Sequence, residues 1–174
     1  LDGGSGAWAA SGRALVRVGE AAAPVAPEKG PPTPPPFQAG RHMEILATRF
    51  DVARAIDDED TVIVDVRRRS EYEGKEKRAH RVGTIPGAVN LFWRDHLDDH
   101  GALLPAEAMK ALYEAKGITP DKTIITFCQG GYRSANTFLA LNALGYPRVQ
   151  NYVGSWGEWG CPASGPMRQI AGII

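Results

Sequence analysis

The stretch TIITFCQGGYRSANTFLALNALG, residues 123–145, decides the fold. Its first five residues are apolar or β-branched and predict a buried strand, Thr123–Phe127. The segment 135–144 has the apolar pattern of a helix, which Gly145 ends. A buried strand followed within a few residues by a helix is the repeating unit of α/β proteins.

The rest of the main segment repeats that alternation. Further strands and helices are predicted at 61–66, 149–153, 49–56 and 105–116. We therefore expect an α/β fold in which a mainly parallel central sheet is flanked by helices on both faces. Ligands of such sheets bind at the carboxyl ends of the strands, and Cys128 directly follows one of those ends.

A proline-rich segment divides the chain. Residues 20–40 hold more than half of its 13 prolines and predict an extended linker. The main domain is then 41–161, and residues 162–174 form a C-terminal tail.

The segment before the linker resembles one near the end of the main domain. LDGGSGAW (1–8) and YVGSWGEW (152–159) share two glycines and a tryptophan at the same spacing. This weak repeat indicates that residues 1–19 are the tail of a preceding, similar domain. A chance match between glycine-rich segments is the alternative that stays open at this point.

Composition excludes several kinds of partner and site. Lys+Arg and Asp+Glu both number 20, so no long-range field attracts nucleic acid or an anionic membrane. No apolar run reaches the roughly 18 residues of a spanning helix, and we expect a soluble, cytoplasmic protein. Cys128 and Cys161 are too few for a disulfide framework or a four-ligand zinc site. His80, His96 and His100 lack metal-ligand spacing, so we expect them at the surface and expect no metal.

Cys128 lies where a thiol is most easily activated. A short strand-to-helix loop must curl, and Gly130 and Gly131 are expected to supply the positive φ angles that turn N–H groups toward the sulfur. A helix beginning near Ser134, which we expect to cap it, adds the positive end of its dipole. Arg133 lies close by, so the pattern predicts a nucleophilic thiolate, against the alternative of a small buried filler.

The spacing of this loop separates two chemistries. Phosphate-cleaving loops place an arginine six positions after the cysteine, whereas Arg133 is five positions after Cys128. The shorter loop forms a smaller anion-binding site, which favours a single additional sulfur atom on the cysteine, a persulfide. A phosphatase or arsenate reductase on the same fold is the rival hypothesis.

Four motifs carry a family resemblance. VDVRRRSEYEG, VGTIPGAVNL, ITFCQGGYRSA and YVGSWGEWG, in this order, resemble the rhodanese (thiosulfate sulfurtransferase) superfamily, and in particular the C-terminal catalytic domain of its two-domain members. The resemblance covers residues 41–160. It implies that residues 1–19 end a missing rhodanese-like domain, which could exist as a separate chain.

The resemblance also implies a ping-pong reaction without a cofactor. Cys128 would take sulfur from a small anionic donor, thiosulfate or 3-mercaptopyruvate, and pass it from the persulfide to cyanide or a thiol. Backbone N–H groups would form a persulfide cradle, made of Gln129, Gly130, Gly131, Tyr132, Arg133 and Ser134. Arg133 would pair with Glu71 or Asp65, and Arg67 would be the accompanying basic residue.

This sequence departs from the family pattern at the donor site. Glu71 occupies a position where vertebrate-type enzymes use an arginine on the donor, so donor binding must be arranged differently. Substitute cations are available in GKEKRAHR, namely Lys75, Lys77, Arg78 and Arg81, unless these residues only form a solvated face. A persulfide carrier or interaction domain with little small-molecule turnover is the non-enzymatic alternative.

Three further residues have open roles. Trp156 and Trp159 are equally consistent with walls of the active-site mouth and with packing of the last turn. Cys161 lies in a turn composition and is expected to be exposed. A resolving role toward Cys128 would require proximity that the sequence does not establish.

Overall fold

The computed structural model describes residues 2–15, 40 and 42–161. Most of the predicted linker and the whole C-terminal tail lie outside the described residues. The division into a preceding tail, linker, main domain and tail therefore stays a prediction.

Within the described residues, the core is a five-stranded sheet with the order β1-β5-β4-β2-β3, and all of its pairings are parallel. The strands are Leu46–Ala47 (β1), Thr61–Asp65 (β2), Val89–Asn90 (β3), Thr123–Phe127 (β4) and Val149–Tyr152 (β5). The predicted parallel α/β architecture is confirmed.

Six α-helices accompany the sheet in the part of the chain that the structure describes. They are Gly4–Ala10 (α1), Arg49–Ala55 (α2), Arg69–Tyr72 (α3), Ala106–Glu114 (α4), Tyr132–Ala143 (α5) and Ser155–Trp159 (α6). The predicted N-cap of α2 is present, because the Thr48 side chain accepts from Asp51 N while the Asp51 carboxylate accepts from Thr48 N. Among the described residues, no helix has the length and apolar character to cross a membrane.

The two faces of the sheet carry separate apolar clusters. Ile124 packs with α4 and α5 on one face, and its neighbour Ile125 packs with α2 and α6 on the other. Successive side chains of a strand point to opposite faces, so a strand covered on both faces has a continuous apolar run. This explains TIITF, and it places Cys128 on the α4/α5 face.

Helix α5 begins earlier than the apolar pattern predicts, at Tyr132 instead of residue 135. Its first turn is polar, so apolar periodicity could not reveal it. Gly131, with φ 88°, is the N-cap, and the connection from β4 is therefore only residues 128–131. Cys128 thus lies directly between a strand end and a helix start.

The two segments of the weak repeat have similar starts. Helix α1 begins at Gly4 with φ 58°, and α6 begins at the aligned Ser155 with φ 53°. The N-terminal segment contacts the main domain, since the Asp2 carboxylate accepts from Leu103 N at 3.1 Å. The similarity supports the repeat, while its origin in a preceding domain stays a prediction.

Candidate active site

The β4–α5 loop holds Cys128 at the carboxyl edge of the sheet, with 1% of its surface exposed. Gly131 has the predicted positive φ, and a Cβ there would lie 3.1 Å from atoms of Val153. The prediction for Gly130 is wrong, because its φ is not positive and a Cβ would have open space. One left-handed residue suffices because the helix begins immediately afterwards.

The surroundings of the sulfur favour the thiolate. Burial is the largest influence and opposes ionisation, but the N–H groups of Ser134, Gly130 and Arg133, with the Ser134 hydroxyl, lower the pKa of Cys128 below its usual value. The first N–H groups of a helix lack carbonyl partners within it, so the start of α5 supplies the N–H groups of Arg133 and Ser134, while that of Gly130 comes from the loop. The burial cost is thus overcome by hydrogen bonds to the charged form.

Ser134 does not cap α5, contrary to prediction, but lies in its first turn. Its Oγ is 3.6 Å from Cys128 Sγ, 3.0 Å from Gly131 O and 2.7 Å from Asn151 Oδ1. A hydroxyl has one proton to donate among these three acceptors. When the sulfur is charged, the hydroxyl can turn from the neutral oxygens to the thiolate.

Ser155 fastens the loop from the β5–α6 connection. Its Oγ accepts from Cys128 N and from Gly131 N, both at 3.1 Å, and donates to Tyr152 O at 2.7 Å. It is the one non-glycine among the described residues with a positive φ. A strained conformation held in this way is typical of functional sites. Sequence reasoning missed Ser155.

The outer edge of the loop is also tied to α6. Trp156 N donates to Cys128 O at 3.0 Å, and Gly157 N donates to Gln129 O at 2.9 Å. The carbonyls of Cys128 and Gln129 are therefore held by α6, while the N–H groups of Gly130, Arg133 and Ser134 act on the sulfur. Such an arrangement is suited to binding an anion at the position of the thiol.

Arg133 pairs with Glu71, one of the two carboxylates that the sequence left open. Its Nη1 and Nη2 donate to the two carboxylate oxygens at 2.7 and 3.0 Å, and Arg68 N donates to the same carboxylate at 3.1 Å. The Glu71 side chain is 1% exposed and that of Arg133 is 25% exposed. Burial alone would raise the pKa of Glu71, but Arg133 and the Arg68 N–H hold it below its usual value.

Asp65 and Arg67 form a second buried pair beneath the loop. Arg67 Nη2 donates to Asp65 at 2.6 Å and to Gly83 O at 2.7 Å, and its guanidinium lies 4.6 Å from the Trp156 ring centroid. Thr84 Oγ1 also donates to Asp65 at 2.7 Å. Both charged side chains are enclosed, so this pair is placed to support the strand ends and not to meet an incoming anion.

Gln129 and Tyr132 complete the predicted cradle. Gln129 Nε2 donates to Arg78 O at 3.0 Å, which connects the loop to the segment 75–81. Tyr132 is 90% exposed at the outer edge of the loop. Of the six predicted cradle residues, Gly130, Arg133 and Ser134 have N–H groups that act on the sulfur, and the role of the other three stays a prediction.

The four predicted substitute cations have different surroundings. Lys75 pairs with Glu73, while the backbone of Arg81 bonds Gly160. Lys77 is exposed. Arg78 Nε is 3.5 Å from Glu71, which makes Arg78 the member of this segment that reaches the carboxylate paired with Arg133.

The tryptophans belong to the core. Trp156 and Trp159 are each 1% exposed and pack with the α2/α6 cluster, so packing of the last turn accounts for them. Cys161 is exposed, as predicted, and its Sγ donates to Gly157 O at 3.1 Å.

The prediction of a surface position is wrong for His96, which is fully buried, whereas His80 and His100 are exposed. His96 Nε2 is 2.7 Å from Asn136 Oδ1 on α5. Helix α5 covers this histidine, and the polar sequence around it gave no indication of that contact. Within the described residues, no cluster of His, Cys, Asp or Glu is arranged to hold a metal ion.

Comparison with known proteins identifies the family. A sequence profile of the rhodanese-like domain matches residues 48–160. The chain therefore belongs to the rhodanese-like domain family. An EanB variant in complex with ergothioneine has the same fold, with a TM-score of 0.79 at 23% identity, covering 95% of this chain and 40% of that one.

Several proteins are similar in sequence to more than half of this chain. Thiosulfate sulfurtransferase of Pseudomonas aeruginosa is 42% identical over 92% of this chain, and that of Azotobacter vinelandii is 41% identical over the same share. The sulfur carrier protein TtuD of Thermus thermophilus is 43% identical over 56% of this chain and 38% of its own length. The matches cover 55% of each of the first two proteins, so the chain spans about half of their length.

Proposed function

We propose that this chain is a sulfurtransferase domain that carries sulfur as a persulfide on Cys128. The observation that carries the proposal is the cradle: a buried thiol at the start of α5 whose pKa is lowered by inward-pointing N–H groups. A lowered pKa increases the fraction of the thiol present as the thiolate, which is the nucleophilic form. The thiosulfate sulfurtransferases among its relatives support the same chemistry.

In the first half-reaction, the Cys128 thiolate attacks the outer sulfur of thiosulfate. A new S–S bond forms to Cys128, the S–S bond of thiosulfate breaks, and sulfite leaves with the electron pair. The negative charge stays on the outer sulfur of the persulfide, where the cradle N–H groups and the Ser134 hydroxyl can stabilise it.

In the second half-reaction, cyanide or a thiolate attacks that outer sulfur. The persulfide bond breaks, and its electrons return to Cys128 as the thiolate. No proton transfer is needed at the nucleophile, and the proposal includes no cofactor besides the persulfide itself. With 3-mercaptopyruvate as the donor, its C–S bond would break, and the enolate that leaves would take up the proton of the donor thiol to give pyruvate.

Arg133 and Glu71 act in this proposal as a brace for the loop. Their paired hydrogen bonds connect the first turn of α5 to α3 across the carboxyl edge of the sheet. Asp65 and Arg67 support the ends of β2 below. The Arg133 guanidinium already donates two hydrogen bonds to Glu71, so it is poorly placed to bind a phosphoryl group. This argues against the phosphatase hypothesis.

A second candidate function is sulfur carriage to a protein partner with little small-molecule turnover. The similarity to a sulfur carrier protein favours it. The preceding rhodanese-like domain is a further proposed partner, in the same or a separate chain, because the relatives are about twice as long as the matched region.

Steady-state formation of thiocyanate from thiosulfate and cyanide tests the proposal. We expect many turnovers per molecule in the wild type and none in Cys128→Ser. Cys161→Ser is the matched control and should retain activity, because that cysteine is exposed and lies outside the cradle. One equivalent of transferred sulfur without turnover would favour the carrier, and turnover in Cys128→Ser would contradict both functions.

A further inference from the structure

If the proposed function is correct, the site must overcome the electrostatic repulsion between the sulfur donor and the Cys128 thiolate. Thiosulfate is a dianion and must approach a thiolate, so the two reactants repel each other. Arg133, the cation of the loop, is already paired with Glu71, and Arg67 is enclosed with Asp65. Another positive charge is needed where the donor enters.

Arg78 is placed to supply that charge. Its Nε is 3.5 Å from Glu71 and its Nη2 is 3.3 Å from Glu76, and 48% of its side chain is exposed. Both distances exceed those of strong charge-assisted hydrogen bonds, so neither carboxylate holds the guanidinium tightly. Glu71 is thus shared by two arginines, and with Glu76 the four side chains carry no net charge, so Arg78 becomes available to an incoming anion when it leaves one of its two carboxylates.

The backbone of Arg78 is fixed although its guanidinium is not. Gln129, the residue after Cys128, donates its side-chain N–H to Arg78 O at 3.0 Å. This hydrogen bond holds the base of the Arg78 side chain against the active-site loop. Lys75 differs from Arg78, because its backbone N–H bonds Ser70 O in α3 and its ammonium, 67% exposed, pairs with Glu73.

We propose that Arg78 binds the anionic oxygen end of the sulfur donor, and that Gln129 positions Arg78 for this task. Before binding, Arg78 is shared between Glu71 and Glu76. A donor oxyanion would replace Glu76 as its partner while the outer sulfur points to Cys128. Arg78 is then a donor-specificity residue contributed by the segment between α3 and β3, outside the cradle.

The test is equilibrium binding of thiosulfate to the Cys128→Ser protein, which cannot react, measured by calorimetry. Adding Arg78→Gln should weaken binding about tenfold or more, the loss of one charge-assisted contact. Lys110→Gln is the matched control, because Lys110 is 43% exposed and pairs with Glu107 on α4. We expect the control to stay within about twofold of the parent, and Arg78→Lys to restore part of the affinity.

A kinetic measurement completes the test. In the otherwise wild-type protein, Arg78→Gln should raise KM for thiosulfate by a similar factor with little change in kcat. It should not change the rate at which the Cys128 thiolate reacts with an uncharged dialkyl trisulfide, a reaction in which a mixed trisulfide forms on Cys128 and an alkyl thiolate leaves. Unchanged thiosulfate binding in Arg78→Gln, or an equal loss with the uncharged donor, overturns the inference. Failure of the proposed function gives a different result: binding that depends on Arg78 without persulfide formation in the wild type.

Discussion

The ion pair between Arg133 and Glu71 offers a quantitative prediction. Arg133→Met would leave the Glu71 carboxylate, 1% exposed, with only the Arg68 N–H at 3.1 Å and Arg78 at 3.5 Å. Removing one partner of a buried pair costs about 3–5 kcal/mol. Because Arg78 remains nearby and Arg133 is itself partly exposed, we expect a loss of about 3 kcal/mol in the free energy of unfolding.

Glu71→Gln should cost less. It leaves Arg133 charged, but that side chain is 25% exposed and reaches water, and glutamine retains an acceptor oxygen. We expect a loss of about 1.5 kcal/mol. In the double variant no buried charge is left without a partner, so the two losses should not add, and the coupling energy should be about 2 kcal/mol.

Urea unfolding near neutral pH measures this coupling energy when it is applied to the wild type, the two single variants and the double variant. The exposed pair Glu107 and Lys110, treated in the same way, is the control and should show a coupling close to zero. The folded-state pKa of Glu71 is lowered, so its contribution is present above the unfolded value of about 4.3 and is lost as pH falls through the lower folded value. A coupling within about 0.5 kcal/mol of zero would refute the bracing role.

Three further predictions follow from the site. Ser134→Ala removes a donor to the thiolate, so the acidic limb of the pH profile for persulfide formation should move to higher pH, and an unmoved limb would contradict its role. Ser155→Ala leaves the N–H groups of Cys128 and Gly131 without their acceptor and should lower the free energy of unfolding by about 2–3 kcal/mol. Ser155→Gly should cost about 1 kcal/mol less than Ser155→Ala, because glycine adopts the positive φ without strain. Equal urea midpoints for the two variants would count against strain at this residue. Burial lowers the pKa of His96 in the folded protein, so the free energy of unfolding should fall as pH drops below the unfolded pKa of about 6.5. His96→Gln should flatten this pH dependence between about pH 7.5 and 5.5, measured by urea titration. Equal pH slopes for the variant and the wild type would contradict this role of His96.

Local pattern was enough to predict the centre of the fold and the position of the thiol. TIITF has the continuous apolar and β-branched run of a strand covered on both faces, and the two glycines after Cys128 indicate a tight turn, so β4 and the position of Cys128 followed from neighbouring residues alone. The family resemblance narrowed the carboxylate that pairs with Arg133 to two candidates, Asp65 at the end of β2 and Glu71 in α3.

The missed residues depend on contacts between distant segments. Ser155 reaches Cys128 only because β5 pairs with β4 in the register that sets Thr126 opposite Asn151. Its left-handed backbone conformation is unusual for serine, so no propensity indicated it. His96 was misplaced for a similar reason, because its burial is created by α5, forty residues away.

The most direct test of the central claim is the intact mass of the protein after incubation with thiosulfate, before and after cyanide is added. The account predicts a gain of one sulfur atom per chain that disappears with cyanide, that persists in Cys161→Ser and that is absent in Cys128→Ser. A wild-type protein that gains no sulfur from thiosulfate or 3-mercaptopyruvate, or a Cys128→Ser variant that still gains it, would contradict a persulfide on Cys128.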